Sequence, residues 1–493
     1  MDRWIGATLL VAGFLALLKL FRLVERGRES LGIVRQSFGQ LADRTLDDDA
    51  KEKAMRQYSL RLFGLFGTLA FFGAAAALLP LALLWLLDRA GWIDLDAIMA
   101  TAMSWPFLCA SGVVTVVVLW LLSRRSAPQR VEGGFEIRYS ATDRLLHQVA
   151  FATTPMQTAL SRLEDRVYRR RIAAVRAERP AFICALPRAG TTLLLDLCAK
   201  QDGMVMHTYR DMPFVHIPMF WERFARSFRS TDVARERAHG DGMLVSVDSP
   251  EALEETLWTG FWTEHFLKDR IRPWTGMEKN EEFRSFFEQH MRKLAALRSS
   301  HVAAGKVRYV SKNNLNIARV GWLVRNFPDA RILIPFREPL QHAASLLRQH
   351  LNFLEIHRQD DFARQYMAAI GHFDFGANLR PVDFGGWLGS QPVGSATELD
   401  FWLRYWNAAH RHLLNETGNR VQLLSYDAFC ADPVSGLERV GNFLEIGDRS
   451  SFCGQHSLIR APKPHVVDRS VLDTSILEEA QGLHERLMSR SLV

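Results

Sequence analysis

Ala181-Phe-Ile-Cys-Ala-Leu186, Pro187-Arg-Ala-Gly-Thr-Thr192 and Leu193-Leu-Leu-Asp-Leu-Cys-Ala-Lys200 follow one another without a break. The first is a short apolar run of strand character. The second is a tight loop around Gly190, and the third reads as a helix with threonines at its start. Strand, glycine loop and helix in this order form an anion site. The first N–H groups of such a helix have no partner within it, and the helix dipole favours negative charge there. The loop departs from the ATP-binding pattern G-x-x-x-x-G-K-[ST]: Ala185 stands where the first glycine belongs and Thr191 where the lysine belongs. A triphosphatase needs that lysine on its outer phosphates. Here Arg188 offers a guanidinium fork to an anionic oxygen instead.

Downstream the same grammar repeats. Ala330-Arg-Ile-Leu-Ile-Pro-Phe336 reads as a second strand, followed by Arg337-Glu-Pro339 and a helix that carries Ser345 eight residues after the arginine. Tyr309-Val-Ser-Lys312 reads as a further strand. Alternating strands and helices predict an α/β fold: a P-loop-like parallel sheet flanked by helices, over residues 180–493. Lys312 falls at the end of its strand, on the edge of an α/β sheet where ligands bind.

Pro187–Thr192 resembles the 5′-phosphosulfate loop of the sulfotransferases that use 3′-phosphoadenosine 5′-phosphosulfate (PAPS), written P-[KR]-[SA]-G-T-T. Arg337-Glu-Pro339 with Ser345 resembles their 3′-phosphate motif, R-[DE]-P followed by serine at this spacing. The resemblance runs from about Arg179 to Pro464 and is nearest to the bacterial and Golgi-type branches. It implies PAPS as co-substrate, no metal, and transfer of a sulfuryl group to a hydroxyl or amine. Arg188, Ala189, Gly190, Thr191 and Thr192 would hold the 5′ end, and Arg337 and Ser345 the 3′-phosphate. Lys312 and Arg188 would stabilise the transferring group, and the late basic loop with Arg460 and Lys463 would close over the nucleotide. By the same resemblance the general base follows the first helix; Asp211 is the first choice, with His207 and His216 as alternatives. The glutamate pair of the tyrosylprotein branch is missing. Two other readings are a P-loop-type kinase or NTPase, against which the missing lysine counts, and a non-enzymatic membrane scaffold, against which the retained Arg188, Thr192, Arg337 and Ser345 count.

Outward from this core, 493 residues exceed one ordinary domain. The composition, 48% hydrophobic and 23% charged, is that of a globular chain. A net charge of +7 suits an anionic ligand or membrane surface, and with no basic block or nucleic-acid motif no nucleic-acid partner is expected. Five cysteines without a CxxC pair argue against structural zinc and for reduced thiols. Residues 1–125 form a membrane region with apolar segments at about 4–21, 62–87 and 97–122, against the roughly 20 residues a span requires. Residues 126–179 read as a linker and amphipathic helices. The segment after the first apolar run is rich in arginine and lysine, whereas only Arg89 lies between the second and third, among Asp88, Asp94 and Asp96. Positive segments stay inside, so the second and third form a hairpin and the C-terminal unit is cytoplasmic. This topology differs from that of Golgi-type sulfotransferases, which have one span and a lumenal domain. Membrane proximity favours a lipid, glycolipid or saccharide acceptor.

Overall fold

The computed structural model describes residues 3–21, 48–104, 107, 141–176, 178–225, 235–236, 244–245, 249–298, 307–390, 393–416 and 419–493. Most of the third apolar segment, the linker 126–134 and most of the arginine-rich segment lie outside the described residues. The chain divides into two units, Met1–Gln129 and Arg130–Val493.

In the first unit a helix of 42 residues spans Asp48–Arg89. Its last 26 residues, Gly64–Arg89, have a mean hydropathy of 2.2 and are long and apolar enough to cross a membrane. At 1.5 Å per residue they reach about 39 Å, beyond the ~30 Å of a hydrocarbon core. Phe66, Phe71, Leu78, Leu83 and Leu86 of this stretch are exposed. The helix Arg3–Leu20 is apolar from Trp4 to Leu18 and has 18 residues, at the short end of the length a crossing requires. It packs closely on the helix Leu95–Ala102, since a Cβ on Gly6 would stand 2.5 Å from the Ile98 side chain.

The second unit is built on a parallel sheet of five strands. In chain order the strands are β1 (Ala181–Ile183), β2 (Met204–Val205), β3 (Arg235–Glu236), β4 (Leu244–Val245), β5 (Arg308–Lys312), β6 (Arg331–Phe336) and β7 (Val421–Ser425). The sheet order is β2-β5-β1-β6-β7, and β3 and β4 form a separate antiparallel pair. Strand residues alternate between two cores. Phe182, Ile332 and Ile334 pack with Trp258, Trp322 and Phe287 on one face, while Ala181, Ile183 and Leu333 pack with Leu194 and Leu197 on the other. Burial on both faces explains why these strands read as continuous apolar runs.

The register decides where the chemistry gathers. Ile183 of β1 stands level with Lys312 of β5 and with Leu333 of β6. The chain leaving β1 enters the loop at Pro187, and the chains leaving β5 and β6 begin at Asn313 and Arg337. All leave from the carboxyl edge of the sheet, where the strand order turns outward from β1 in both directions. Open α/β sheets bind ligands in the crevice at such a point.

Candidate active site

Two residues of the first loop adopt left-handed backbone, Arg188 with φ 70° and Gly190 with φ 88°. At Gly190 only hydrogen fits, because a Cβ would stand 2.1 Å from the Tyr426 ring. Gly190 thereby begins the helix Thr191–Ala199. A non-glycine residue held left-handed costs on the order of 1–3 kcal/mol and persists only where neighbours impose it. The neighbours here come from the β6 exit. Arg337 donates through a terminal nitrogen to the Arg188 carbonyl at 3.3 Å, and His342 Nε2 donates to the Pro187 carbonyl at 2.8 Å. Burial, and then the charge of Arg337, hold the His342 pKa well below its ordinary value, so the ring is neutral and keeps this role. With its carbonyls engaged from behind, the loop is left to present N–H groups.

In front of the loop lies a cleft lined among others by Arg188, Thr191, Thr192, Lys312, Glu251, His372 and Asp374. Lys312 ends β5 and is half-buried. A chain of side chains fixes three walls to one another. Thr191 Oγ1 donates to Asn314 Oδ1 at 3.4 Å, and Asn314 Nδ2 donates to Asp374 Oδ2 at 3.0 Å. Behind this wall Asn313 Nδ2 donates to Glu255 at 2.8 Å, and Glu255 pairs with the fully buried Arg319, whose guanidinium lies 3.9 Å from the centre of the Trp258 ring. Gly371, at φ +77°, passes so close that a Cβ would meet Glu255 at 2.4 Å. That approach sets His372 in the cleft. Burial lowers the His372 pKa, and the Lys312 charge lowers it further against the opposing pull of Asp374 and Glu251.

Arg337 is buried. Its Nε lies 3.8 Å from Asp427 Oδ1, and Asp427 Oδ2 also accepts from the backbone N–H of Glu338 at 2.7 Å. Ser345 is buried on the helix Pro339–Gln359, two turns from its start. The late loop meets this helix: Gln341 and His465 exchange two hydrogen bonds of 2.6 and 3.0 Å. Burial lowers the His465 pKa, and the charges of Arg337, Arg348 and Arg188 lower it further. Arg460 and Lys463 on the same loop are exposed. Among the described residues no three His, Cys, Asp or Glu side chains are placed to hold a metal ion.

Residues 180–449 match the family described as Sulfotransferase family. The chain belongs to the sulfotransferase family. A sulfotransferase from Mycobacterium avium is 16% identical, with a TM-score of 0.36, over 70% of this chain and 82% of that one. One from Mycobacterium tuberculosis H37Rv is 12% identical, with a TM-score of 0.35, over 67% and 81%. No curated protein matches the sequence.

Within this sulfotransferase, the residues expected to supply the base do not line the cleft. Asp211 closes a capping box with Thr208 and accepts from Arg298 at 2.7 and 2.9 Å and from the Thr208 N–H at 2.9 Å. Burial alone would raise its pKa, but Arg298 and His207 hold it below the usual carboxylate range. An oxygen so occupied is a poor proton acceptor. His207 Nδ1 lies 3.3 Å from Asp211 and its Nε2 3.3 Å from His290 Nε2. His216, held by burial at about 4, faces the Thr158 hydroxyl at 3.2 Å. The expectation rested on the segment after β2. That edge strand is two residues long, and the turn after it aims at the helix Glu281–Arg298 instead of the cleft. His372, Arg348 and His465 were missed. Arg348 had a signal, since it lies one helical turn beyond Ser345.

Proposed function

We propose that this sulfotransferase takes the sulfuryl group of PAPS to a hydroxyl or amine of a membrane-associated acceptor, a lipid, glycolipid or saccharide. The observation that carries the reading is the meeting of two anion-binding elements at Arg188. Its side chain lines the cleft with Lys312, while its carbonyl accepts from Arg337 of the second motif. Arg337 is buried and its Nε makes no hydrogen bond among the described residues, which suits a phosphate arriving beside it.

Bound in the cleft, the donor supplies a sulfuryl group on a phosphate leaving group. The N–H groups of Gly190, Thr191 and Thr192, the threonine hydroxyls and Arg188 would hold the 5′ end. Arg337 and Ser345 would hold the 3′-phosphate, with Arg348 adding to the positive field and the neutral His465 ring able to donate a hydrogen bond. Lys312 would stabilise the charge that develops on the departing oxygen, as a fixed cation in a cleft screened from water does. Arg460 and Lys463 are placed on a loop that could cover the nucleotide. His372 would take the acceptor proton. Its depressed pKa keeps the ring neutral at pH 7, and a neutral imidazole has one basic nitrogen.

The test has two arms. Calorimetric titration with adenosine 3′,5′-bisphosphate and with ATP reads donor class; preference for ATP would defeat the reading. Labelled PAPS is then incubated with native membrane extract, and the sulfated product is identified by mass spectrometry. On that product His372→Gln lowers turnover by about 10²–10⁴ while sparing nucleotide affinity, and Asp211→Asn leaves turnover near normal. If Asp211→Asn collapses turnover and His372→Gln does not, the base is Asp211.

A further inference from the structure

The helix Thr154–Val167 has its polarity reversed. Its inward face is polar: Gln157, Ser161 and Glu164 are buried. Lys293 of the helix Glu281–Arg298 reaches into that face, with Nζ 2.6 Å from Ser161 Oγ, 3.2 Å from Glu164 and 2.9 Å from Asp165. Its outward face is apolar: Met156 is 57% exposed, Leu163 45% and Val167 59%. These residues recur at helical spacing on one side, and Val149 continues the stripe on the preceding helix, Ala141–Ala152. Water does not favour such an arrangement, because apolar side chains gain by leaving it.

Arginine predominates on the same side, although Arg162 is paired with Glu282 and Arg176 with Glu178. Arg162 and Arg166 alternate with the apolar positions, and Arg169, Arg170, Arg171 and Arg176 follow, all exposed. The two acids of the helix, Glu164 and Asp165, are both committed to Lys293. A stripe of shallow apolar side chains flanked by arginines matches the headgroup layer of an anionic membrane. Aliphatic groups enter the acyl boundary and guanidinium groups pair with phosphates. The same chain carries Gly64–Arg89, a helix of membrane-crossing length. We propose that the exposed face of Val149–Arg176 lies on the surface of an anionic phospholipid bilayer.

Hydroxyl-radical footprinting of the full chain in lipid nanodiscs tests this, since Met156 reports the face directly. Discs are made of phosphatidylcholine alone or of phosphatidylcholine with phosphatidylglycerol, and oxidation is located by mass spectrometry. Met156 oxidation is expected to fall about fivefold on the anionic discs, while the exposed Met277, outside the face, is unchanged. High salt restores oxidation, as does the combined variant Arg166→Glu, Arg169→Glu, Arg170→Glu. Equal oxidation on both discs overturns the proposal. Low oxidation that is equal on both discs and unmoved by high salt overturns it as well, and would mean that protein, from this chain or a second copy, covers the stripe. The lipid comparison uses the unaltered chain, so a variant that fails to fold does not decide the outcome. The readout involves neither donor nor turnover and stands apart from the sulfuryl-transfer reading.

Discussion

Arg337 shows how a single residue can tie two loops together and still keep capacity for a ligand. It is only 4% exposed, yet within the described chain it has one carbonyl contact and one carboxylate at 3.8 Å. Five N–H donors in a fixed fork are more than these partners use. A buried charge that is incompletely paired is costly unless an anion completes it. Arg337→Ala should therefore weaken adenosine 3′,5′-bisphosphate binding by about 2–4 kcal/mol, roughly 30- to 1000-fold, by calorimetry. Arg337→Lys keeps the charge but loses the fork, and should fall between the two. Because Arg337 also supports left-handed Arg188, the alanine variant should lose some of its loop order as well. Unchanged affinity in Arg337→Ala would remove the 3′-phosphate assignment.

The helix Pro339–Gln359 does more than carry Ser345. His350 Nδ1 accepts from the Gly376 N–H and His357 Nδ1 from the Ala377 N–H, each at 3.1 Å. These bonds hold the turn that follows His372. Burial lowers both imidazoles to about 4 from an ordinary 6.5. An acceptor nitrogen must be unprotonated, so the folded state resists protons that the unfolded chain binds. This stability is whole above pH 6.5 and is lost progressively as pH falls toward 4, on the order of 1–3 kcal/mol per histidine. Melting temperature against pH should fall across that window. It should fall less steeply in His350→Gln/His357→Gln, where an amide oxygen accepts without titrating. An unchanged slope in the double variant would rule these two histidines out as the cause. The same turn shows where sequence reading succeeds and stops. Residues 181–199 and 331–359 were legible because each anion-binding element is contiguous: strand, loop and helix signals adjoin. His372 was not legible, because it reaches the cleft only through the close pass of Gly371 beside Glu255, more than a hundred residues earlier in the chain. Asp211 looked available for the converse reason: its partner Arg298 is 87 residues away.

At the scale of the whole chain, whether Gly64–Arg89 crosses a membrane, and in which sense, decides which compartment the cleft meets. Lys51, Lys53, Arg56 and Arg61 precede Gly64, whereas Asp88, Arg89, Asp94 and Asp96 surround its other end. Lysine and arginine near the end of a span are retained in the cytoplasm, while acidic residues count for little. If Gly64–Arg89 crosses, its start would be cytoplasmic and the turn at Gly91 would lie on the far side. A second crossing by the apolar segment at about 97–122 would return the chain, leaving the sulfotransferase unit in the cytoplasm, where PAPS is made. Free Cys184, Cys198, Cys430 and Cys453 fit a reducing compartment. Two reporter fusions test both crossings at once. One inserted at Gly91 should report the far side, and one after Val493 the cytoplasm. If both report the cytoplasm, Gly64–Arg89 does not cross. If both report the far side, the second crossing does not exist, and the enzyme works in a compartment to which its donor must be carried, as in the Golgi-type arrangement.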